Sequence, residues 1–269
     1  MLPGVPGLSV ATRSLSLVGR PTRKGPTMDD RSPDLRHRTG NLLLDALSQD
    51  ERALLLTDSR TKPIEVGTSL FRPGDPIGYV PFPLSGTISM LAQPDGSGPV
   101  EAATIGREGA GSLHSALGSR RASQELIGQV DGEYIAVGIE LFSKQANQGQ
   151  LQSLVYGYLE ALVVQISLSA ACNAVHHLNQ RCARWLLQTH DRVDGDTFGL
   201  TQEYLGVMLG VQRPSVSIAQ RTLQAAGCIS FRRGSITVTD REALEAAACP
   251  CYEMIRAEYS RLVPLHVQR

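Results

Sequence analysis

The sequence predicts an α+β protein with an N-terminal antiparallel β region, one long central helix and a C-terminal winged helix-turn-helix. Three observations carry that expectation. Between about residues 62 and 140, short runs rich in β-branched or aromatic residues alternate with turn dipeptides. From 150 to 175 a single broad apolar stripe runs with few charges around it. Beyond it, Leu200–Ile229 carries the apolar and glycine spacing of two helices joined by a short turn, and an alternating hairpin follows.

Composition bounds the function. The chain has 269 residues, so one or two domains are expected. With 42% hydrophobic and 19% charged residues, it can bury a core. Lys plus Arg is 26 and Asp plus Glu is 26, which excludes a globally basic chain but not a locally basic face. No run reaches the roughly 20 uninterrupted apolar residues of a membrane span. Five cysteines, at 172, 182, 228, 249 and 251, are an odd number and point to a reducing compartment. Cys249-Pro-Cys251 lacks the two-residue spacing of a zinc knuckle and no histidine pair follows it, so it reads as a helix start and no metal ligand is assigned.

Residues 1–28 hold Arg13, Arg20, Arg23 and Lys24, no acid, and scattered Pro and Gly. They read as a flexible tail, or as sequence upstream of a true start at Met28; the alternative is a transit peptide. Near 40–57, leucines recur at helical intervals and Ser48-Gln-Asp-Glu51 is a helix start, so two short helices are expected. In the β region, Pro81 and Pro83 place their strand at an edge or a sharp bend. The apolar stripe of 150–175 (Leu151, Leu154, Val155, Tyr158, Leu162, Val163, Ile166) needs two partners: the β region on one face and a second copy of the helix on another. A helix over about 176–191 follows, and an amphipathic helix over 240–262 closes the chain.

Within the helix-turn-helix, Thr201 starts the first helix, Gly210 takes the left-handed turn position, and Pro214 suits the first turn of the second helix. Val216, Ala219 and Leu223 face Leu205 and Leu209. The opposite face carries Arg213, Ser217, Gln220 and Arg221, donors suited to base edges in a major groove. Arg232-Arg233-Gly234 lies at the hairpin tip, within reach of phosphates. Between 199 and 239 four arginines stand against Glu203 alone. The reading therefore assigns bases to Arg213, Ser217 and Gln220, and phosphates to Thr201, Gln202, Arg232 and Arg233. Gln212, Pro214, Ser215 and Arg221 complete the DNA-contacting set.

At these residues the chain resembles the Crp/Fnr superfamily of bacterial transcription regulators, over about residues 40–245. Phe71-Arg-Pro-Gly-Asp75, Tyr79–Ile88 and Ala103–Gly111 are similar to parts of that family's cyclic-nucleotide-type β-roll. The resemblance implies a tail at 1–28, a β-roll sensor domain at 29–149, a dimerisation helix at 150–178, a winged helix-turn-helix at 179–245 and a helical extension at 246–269. It implies a cytoplasmic homodimer that binds double-stranded DNA and meets RNA polymerase, with no membrane partner and no catalytic residue. It also implies an effector pocket around Gly109, Gly111, Ser112, Leu113, Arg121 and Ser123. Here the chain departs from the family: Ser112 stands where cyclic-nucleotide binders place Glu, and Arg120-Arg-Ala-Ser123 does not match their phosphate-binding Arg-Ser order. Usual cyclic-nucleotide binding is therefore not expected, and no cofactor is assigned. An iron–sulfur cluster is not expected because no cysteine precedes Cys172. His114, His176 and His177 are the candidate haem ligands, read as structural. The competing readings are a cyclic-nucleotide-responsive regulator of the same fold and a ligand-binding protein whose winged helix serves protein contacts. Gly106-Arg-Glu-Gly109 is too short for a nucleotide loop and no nucleophile–base pair is seen, so no enzyme is expected.

Overall fold

The structure is a computed structural model that describes residues 38–94 and 98–263. The expected tail at 1–28 and most of the predicted Asp95–Gly98 turn lie outside the described residues.

Two short helices open the fold, α1 (Leu42–Asp45) and α2 (Gln49–Leu55), as their two start signals predict. Ser48 caps α2 through the Glu51 amide. Asn41 caps α1 and does more. Its Oδ1 accepts from the Leu44 amide, while Nδ2 donates to the carbonyls of Pro83 at 2.9 Å and Gly109 at 2.8 Å. One fully buried side chain thus joins the first helix, the long β-hairpin and a loop.

The β domain is an antiparallel sheet of β1 (Arg60–Ile64), β2 (Ser69–Phe71), β3 (Tyr79–Ala92), β4 (Val100–Ile105) and β5 (Glu125–Gly138). Its order is β1-β5-β3-β4, with β2 beside β5. β3 and β5 are fourteen residues each, and their shared register shifts at Pro83/Ser85, Ser85/Thr87 and Thr87/Ile88. Extra residues at such shifts bend and twist a strand, which lets a long hairpin roll over a core. The prolines obey the edge rule locally: at Pro81 and Pro83, β3 pairs only with β5, and β4 joins from Ile88 onward.

After α3 (Ile139–Gln145), α4 (Gly149–Val175) spans the molecule. Leu151, Leu154, Val155, Tyr158 and Ala161 enter the β-domain core, whereas Tyr156 and Val163 are 46% and 61% exposed. By length and composition alone α4 is apolar enough to cross a bilayer, although no uninterrupted apolar run occurs in it. In this chain it packs on β4, on the 3-10 turn at Leu113–Leu117 and on the chain's last helix.

A second core holds α5 (Leu178–His190), β6 (Thr197–Gly199), α6 (Gln202–Leu209), α7 (Arg213–Ala225), β7 (Ile229–Arg232), β8 (Ser235–Val238) and α8 (Arg241–Ala247). The single helix expected over 240–262 is two. Pro250, which has no amide hydrogen to continue α8, caps α9 (Cys251–Leu262). α9 then returns to α4, and Ile255, Tyr259 and Val263 join the first core. The two helices approach so closely at Gly157 that a Cβ there would stand 2.4 Å from the Leu262 carbonyl oxygen.

Asn41→Ala should lower the unfolding free energy by about 2–3 kcal/mol, through the lost cap and two orphaned carbonyls. A fall in the urea midpoint at unchanged slope is the expected result.

Candidate nucleic-acid interface

The helix-turn-helix is built on a close approach. Gly206 on α6 faces the turn, where a Cβ would meet the Val211 carbonyl oxygen at 2.9 Å and Val216 at 3.6 Å. Gly210 ends α6 at φ +64, the left-handed conformation that glycine adopts without a steric cost. Thr201 caps α6 through the Tyr204 amide at 3.1 Å. Pro214 sits in the first turn of α7, where its missing N–H leaves no intrahelical bond unmade. Val216, Ala219 and Leu223 are buried against Leu205 and Leu209, as the sequence predicts.

The outward face of α7 differs in one member from the sequence expectation. Gln220 is 2% exposed, not on the surface. Its Oε1 accepts from Gln202 Nε2 at 2.8 Å, and Ser217 Oγ donates to Gln202 Oε1 at 3.0 Å. These three side chains tie α6 to α7. Gln202 and Gln220 are therefore committed to the helix pair, which corrects the outward assignment of Gln220. The signal was available: residues 216, 219, 220 and 223 follow the i, i+3, i+4, i+7 pattern of one helix face, and only the polarity of Gln220 argued otherwise.

Exposed on the N-terminal part of α7 are its N-cap Gln212, Arg213, Pro214, Ile218 and Arg221, with Ser215 and Ser217 half-buried beside them. Ile218 is 64% exposed at the centre of this face. Arg213 pairs with Glu203 at 2.9 Å, an exposed contact worth little in water. The wing tip is a two-residue turn with both φ values positive, +46 at Arg233 and +80 at Gly234. Gly234 also lies beside Thr201 and accepts the Leu200 amide at 2.8 Å, so the tip and the start of α6 share one side of the domain. Arg232 and Arg233 are both exposed.

The domain is docked on the β sheet by its other sides. Trp185 Nε1 on α5 donates to Glu101 Oε1 on β4 at 2.7 Å, and Thr104 and Ser89 donate to the same carboxylate. Gln129 Nε2 donates to Thr189 Oγ1 at 2.9 Å, and Tyr204 on α6 donates its hydroxyl to the Gly128 carbonyl at 3.1 Å. Burial pushes the Glu101 carboxyl above its ordinary value, and the three donors only partly oppose this.

The residues expected to form an effector pocket are divided between the core and the surface. A Cβ at Gly109 would fall 2.0 Å from the Tyr158 ring, so α4 fills that position. Leu113 is a core residue, and Gly111 faces Leu126 and Pro81. Ser112 is buried with φ +54. Arg121 and Ser123 are exposed, and Arg121 donates to the Gly74 carbonyl at 2.8 Å. A cleft of about 450 Å³ lies elsewhere, between the 106–109 loop, the end of α5, α8 and α9. Four arginines line it; Arg192 is paired with Glu108 and Arg241 with Asp191.

Cys249 and Cys251 have neighbours that the sequence spacing does not indicate: the fold brings Cys172 and His176, at the end of α4, to them. His114 stands apart from that group, in the 3-10 turn.

Comparison with known proteins gives the domain its class. The family model of the Crp-like helix-turn-helix domain matches residues 180–247. None of the curated proteins matches the chain. Among solved structures, FixK2 from Bradyrhizobium japonicum is similar with a TM-score of 0.61 at 15% identity, over 71% of this chain and 98% of that one. TTHB099, a CRP-family transcriptional regulator from Thermus thermophilus, is similar with a TM-score of 0.58 at 17% identity, over 70% and 96%. CLP, a c-di-GMP responsive global regulator of Xanthomonas campestris, gives 0.56 at 17% identity, over 72% and 100%. These likenesses establish the fold: β domain, long helix and helix-turn-helix in the expected order.

Two outcomes follow from the geometry. Gln220→Ala should destabilise the helix pair by about 1–3 kcal/mol, seen as a lower melting temperature, because Gln202 loses its buried partner. Glu101 holds its proton more tightly when the domains are docked. Docking should therefore strengthen as pH falls from the raised value to the ordinary carboxylate range, and weaken as pH climbs back. Trp185 is the only tryptophan in the chain, so its fluorescence should report this titration, and Glu101→Gln should abolish it.

Proposed function

We propose that this chain, a Crp/Fnr-like transcription regulator with a Crp-like helix-turn-helix DNA-binding domain, is a cytoplasmic homodimer that reads a near-palindromic DNA site. The observation that carries the reading is the outward face of α7: two arginines, no acid, and an exposed isoleucine, beside a wing tip with two more arginines.

Arg213 and Arg221 offer the fork that matches the two acceptors of guanine, and Ile218 offers an apolar contact for a thymine methyl group. Ser217 flanks them. Thr201, Gln212, Ser215, Arg232 and Arg233 lie where backbone phosphates would position the domain. The Glu203–Arg213 pair would open on binding, exchanging a weak exposed contact for a groove contact.

Dimerisation is assigned to α4. Its exposed side carries Tyr156 and Val163 seven residues apart, the repeat of a helix that meets its own copy. In that arrangement the two α7 helices would enter major grooves about 34 Å apart, one helical turn of DNA. RNA polymerase would be a further partner of the bound dimer.

The β domain is assigned an effector role without cyclic nucleotide binding of the usual kind. Tyr158 occupies the space beside Gly109, and Arg121 spends a donor on Gly74. An effector acts by preferring one placement of the two DNA-binding domains over another.

Selection of bound DNA from a random pool, with and without cyclic nucleotides, tests the reading. Arg213→Ala should cost about 1–3 kcal/mol and relax the selected sequence at one position per half-site. Arg232→Ala should weaken binding to every sequence and reduce the salt slope by about one phosphate contact. Unchanged site selection by Arg213→Ala would place the reading surface elsewhere. A cyclic nucleotide that sharpens the selection would restore the usual effector.

A further inference from the structure

Outside the DNA-binding face, one cluster of side chains has no part in either apolar core. Cys172, Cys249 and Cys251 form a buried group of their own, separate from the two large cores. His176 completes it. Cys172 Sγ and Cys249 Sγ are 3.4 Å apart, and Cys251 Sγ and His176 Nδ1 are 3.7 Å apart. The four ligand atoms all lie within 4.8 Å of one another.

From this geometry we propose that Cys172, His176, Cys249 and Cys251 form a Cys3His site for a tetrahedral divalent ion of the zinc class. With metal–sulfur bonds of about 2.3 Å and a metal–nitrogen bond of about 2.0 Å, neighbouring ligand atoms in a tetrahedron stand about 3.5–3.8 Å apart. The sulfur–sulfur separation falls a few tenths of an ångström short of its edge of about 3.8 Å, and the sulfur–nitrogen separation exceeds its edge of about 3.5 Å by a similar small amount, so modest side-chain shifts close the site. The sulfurs are too far apart for a bond, which needs about 2.05 Å. A cluster that brings its own bridging sulfides would hold its ligands farther apart than a single ion does.

The surroundings suit an ion with three thiolates. Such a site carries one net negative charge, and the buried Arg184 with the half-buried Arg181 bears electrostatically on Cys172. Arg184 donates to Gln188, and its Nε has no hydrogen-bond partner among the described residues. The last turn of α4 adds the negative end of a long helix dipole, which favours a cation there.

The placement gives the site a purpose. Cys172 and His176 lie where α4 ends, just before α5 begins. Cys249 and Cys251 lie between α8 and α9, where the chain returns to α4. The two ligand pairs therefore bracket the whole Crp-like domain at residues 180–247. A bound ion staples the domain's entry and exit segments together at its root, and so fixes how the domain leaves the long helix.

The test uses the full chain, reduced, stripped with a chelator and titrated with Co2+. One equivalent per chain is expected, with the intense visible absorption and thiolate charge-transfer bands of tetrahedral cobalt, bleached by one equivalent of Zn2+. Cys249→Ser/Cys251→Ser should lose the bands and Cys228→Ser should keep them. Hydrogen exchange at 173–178 and 248–251 should slow on Zn2+ addition. The pale spectrum of six-coordinate cobalt in the wild type would overturn the site, whether or not the double variant folds. Unchanged exchange at those residues after zinc uptake would overturn the staple. No readout involves DNA, so a failure here is distinguishable from a failure of the regulator reading.

Discussion

The placement of the outward face of α7 depends on how closely α6 can approach it. A wet outer surface with two arginines stays in register only because the inner surface is dry and tight, and that tightness is set where Gly206 admits the Val211 carbonyl. A side chain at 206 would push the turn outward and rotate α7 about its axis. Small rotations would matter for the proposed base contacts, because a bidentate contact to a base edge tolerates little displacement. The Gln202–Gln220–Ser217 chain of hydrogen bonds adds direction to this packing. Apolar contacts alone let helices slide, whereas paired amides hold one register. The polar residues inside the helix pair thus serve the polar residues outside it.

A second level of placement holds the domain as a body. Glu101 is the unusual member: a buried carboxylate with three donors and no cation bonded to it. An apolar pair at this position would dock more tightly, since burying a charge costs more than its hydrogen bonds return. Its presence makes the contact between α5 and β4 weaker than an apolar one would be. Elsewhere the packing is tight: Tyr158 against Gly109 joins the 106–109 loop to α4 with no intervening space.

Much of this was legible in the sequence because the relevant patterns are local. The helix-turn-helix is specified by positions within thirty residues of one another, each with its own steric reason: Thr201 as cap, Gly210 at the left-handed turn, Pro214 in a first turn. The antiparallel β region and the long helix follow from period and turn residues in the same way, whereas the strand order does not. Gln220 was misplaced because polarity was weighed above period, although burial of a polar residue is inexpensive once it is paired. The break at Pro250 was also local: Cys249-Pro-Cys251 reads as a helix start and α9 begins there, although the periodicity of 240–262 had suggested one continuous helix.

The cysteine cluster was illegible for a different reason. Cys172 and His176 are four apart at the end of a helix, which puts them on one side of it, yet such a pair alone has no fixed chemistry. Cys249 and Cys251 are equally mute. Their meeting requires α9 to turn back onto α4, a contact set by Gly157, Tyr259 and Val263 that no short-range pattern announces. The same turn explains the arrangement's value to the fold. A domain inserted between two antiparallel helices is free to swing about its root unless something joins the two connections. Apolar side chains do so poorly at the end of a helix, where backbone carbonyls are exposed and demand polar partners. Sulfur and imidazole at that spot could be tied together by the proposed ion, whose positive charge would also face those carbonyls.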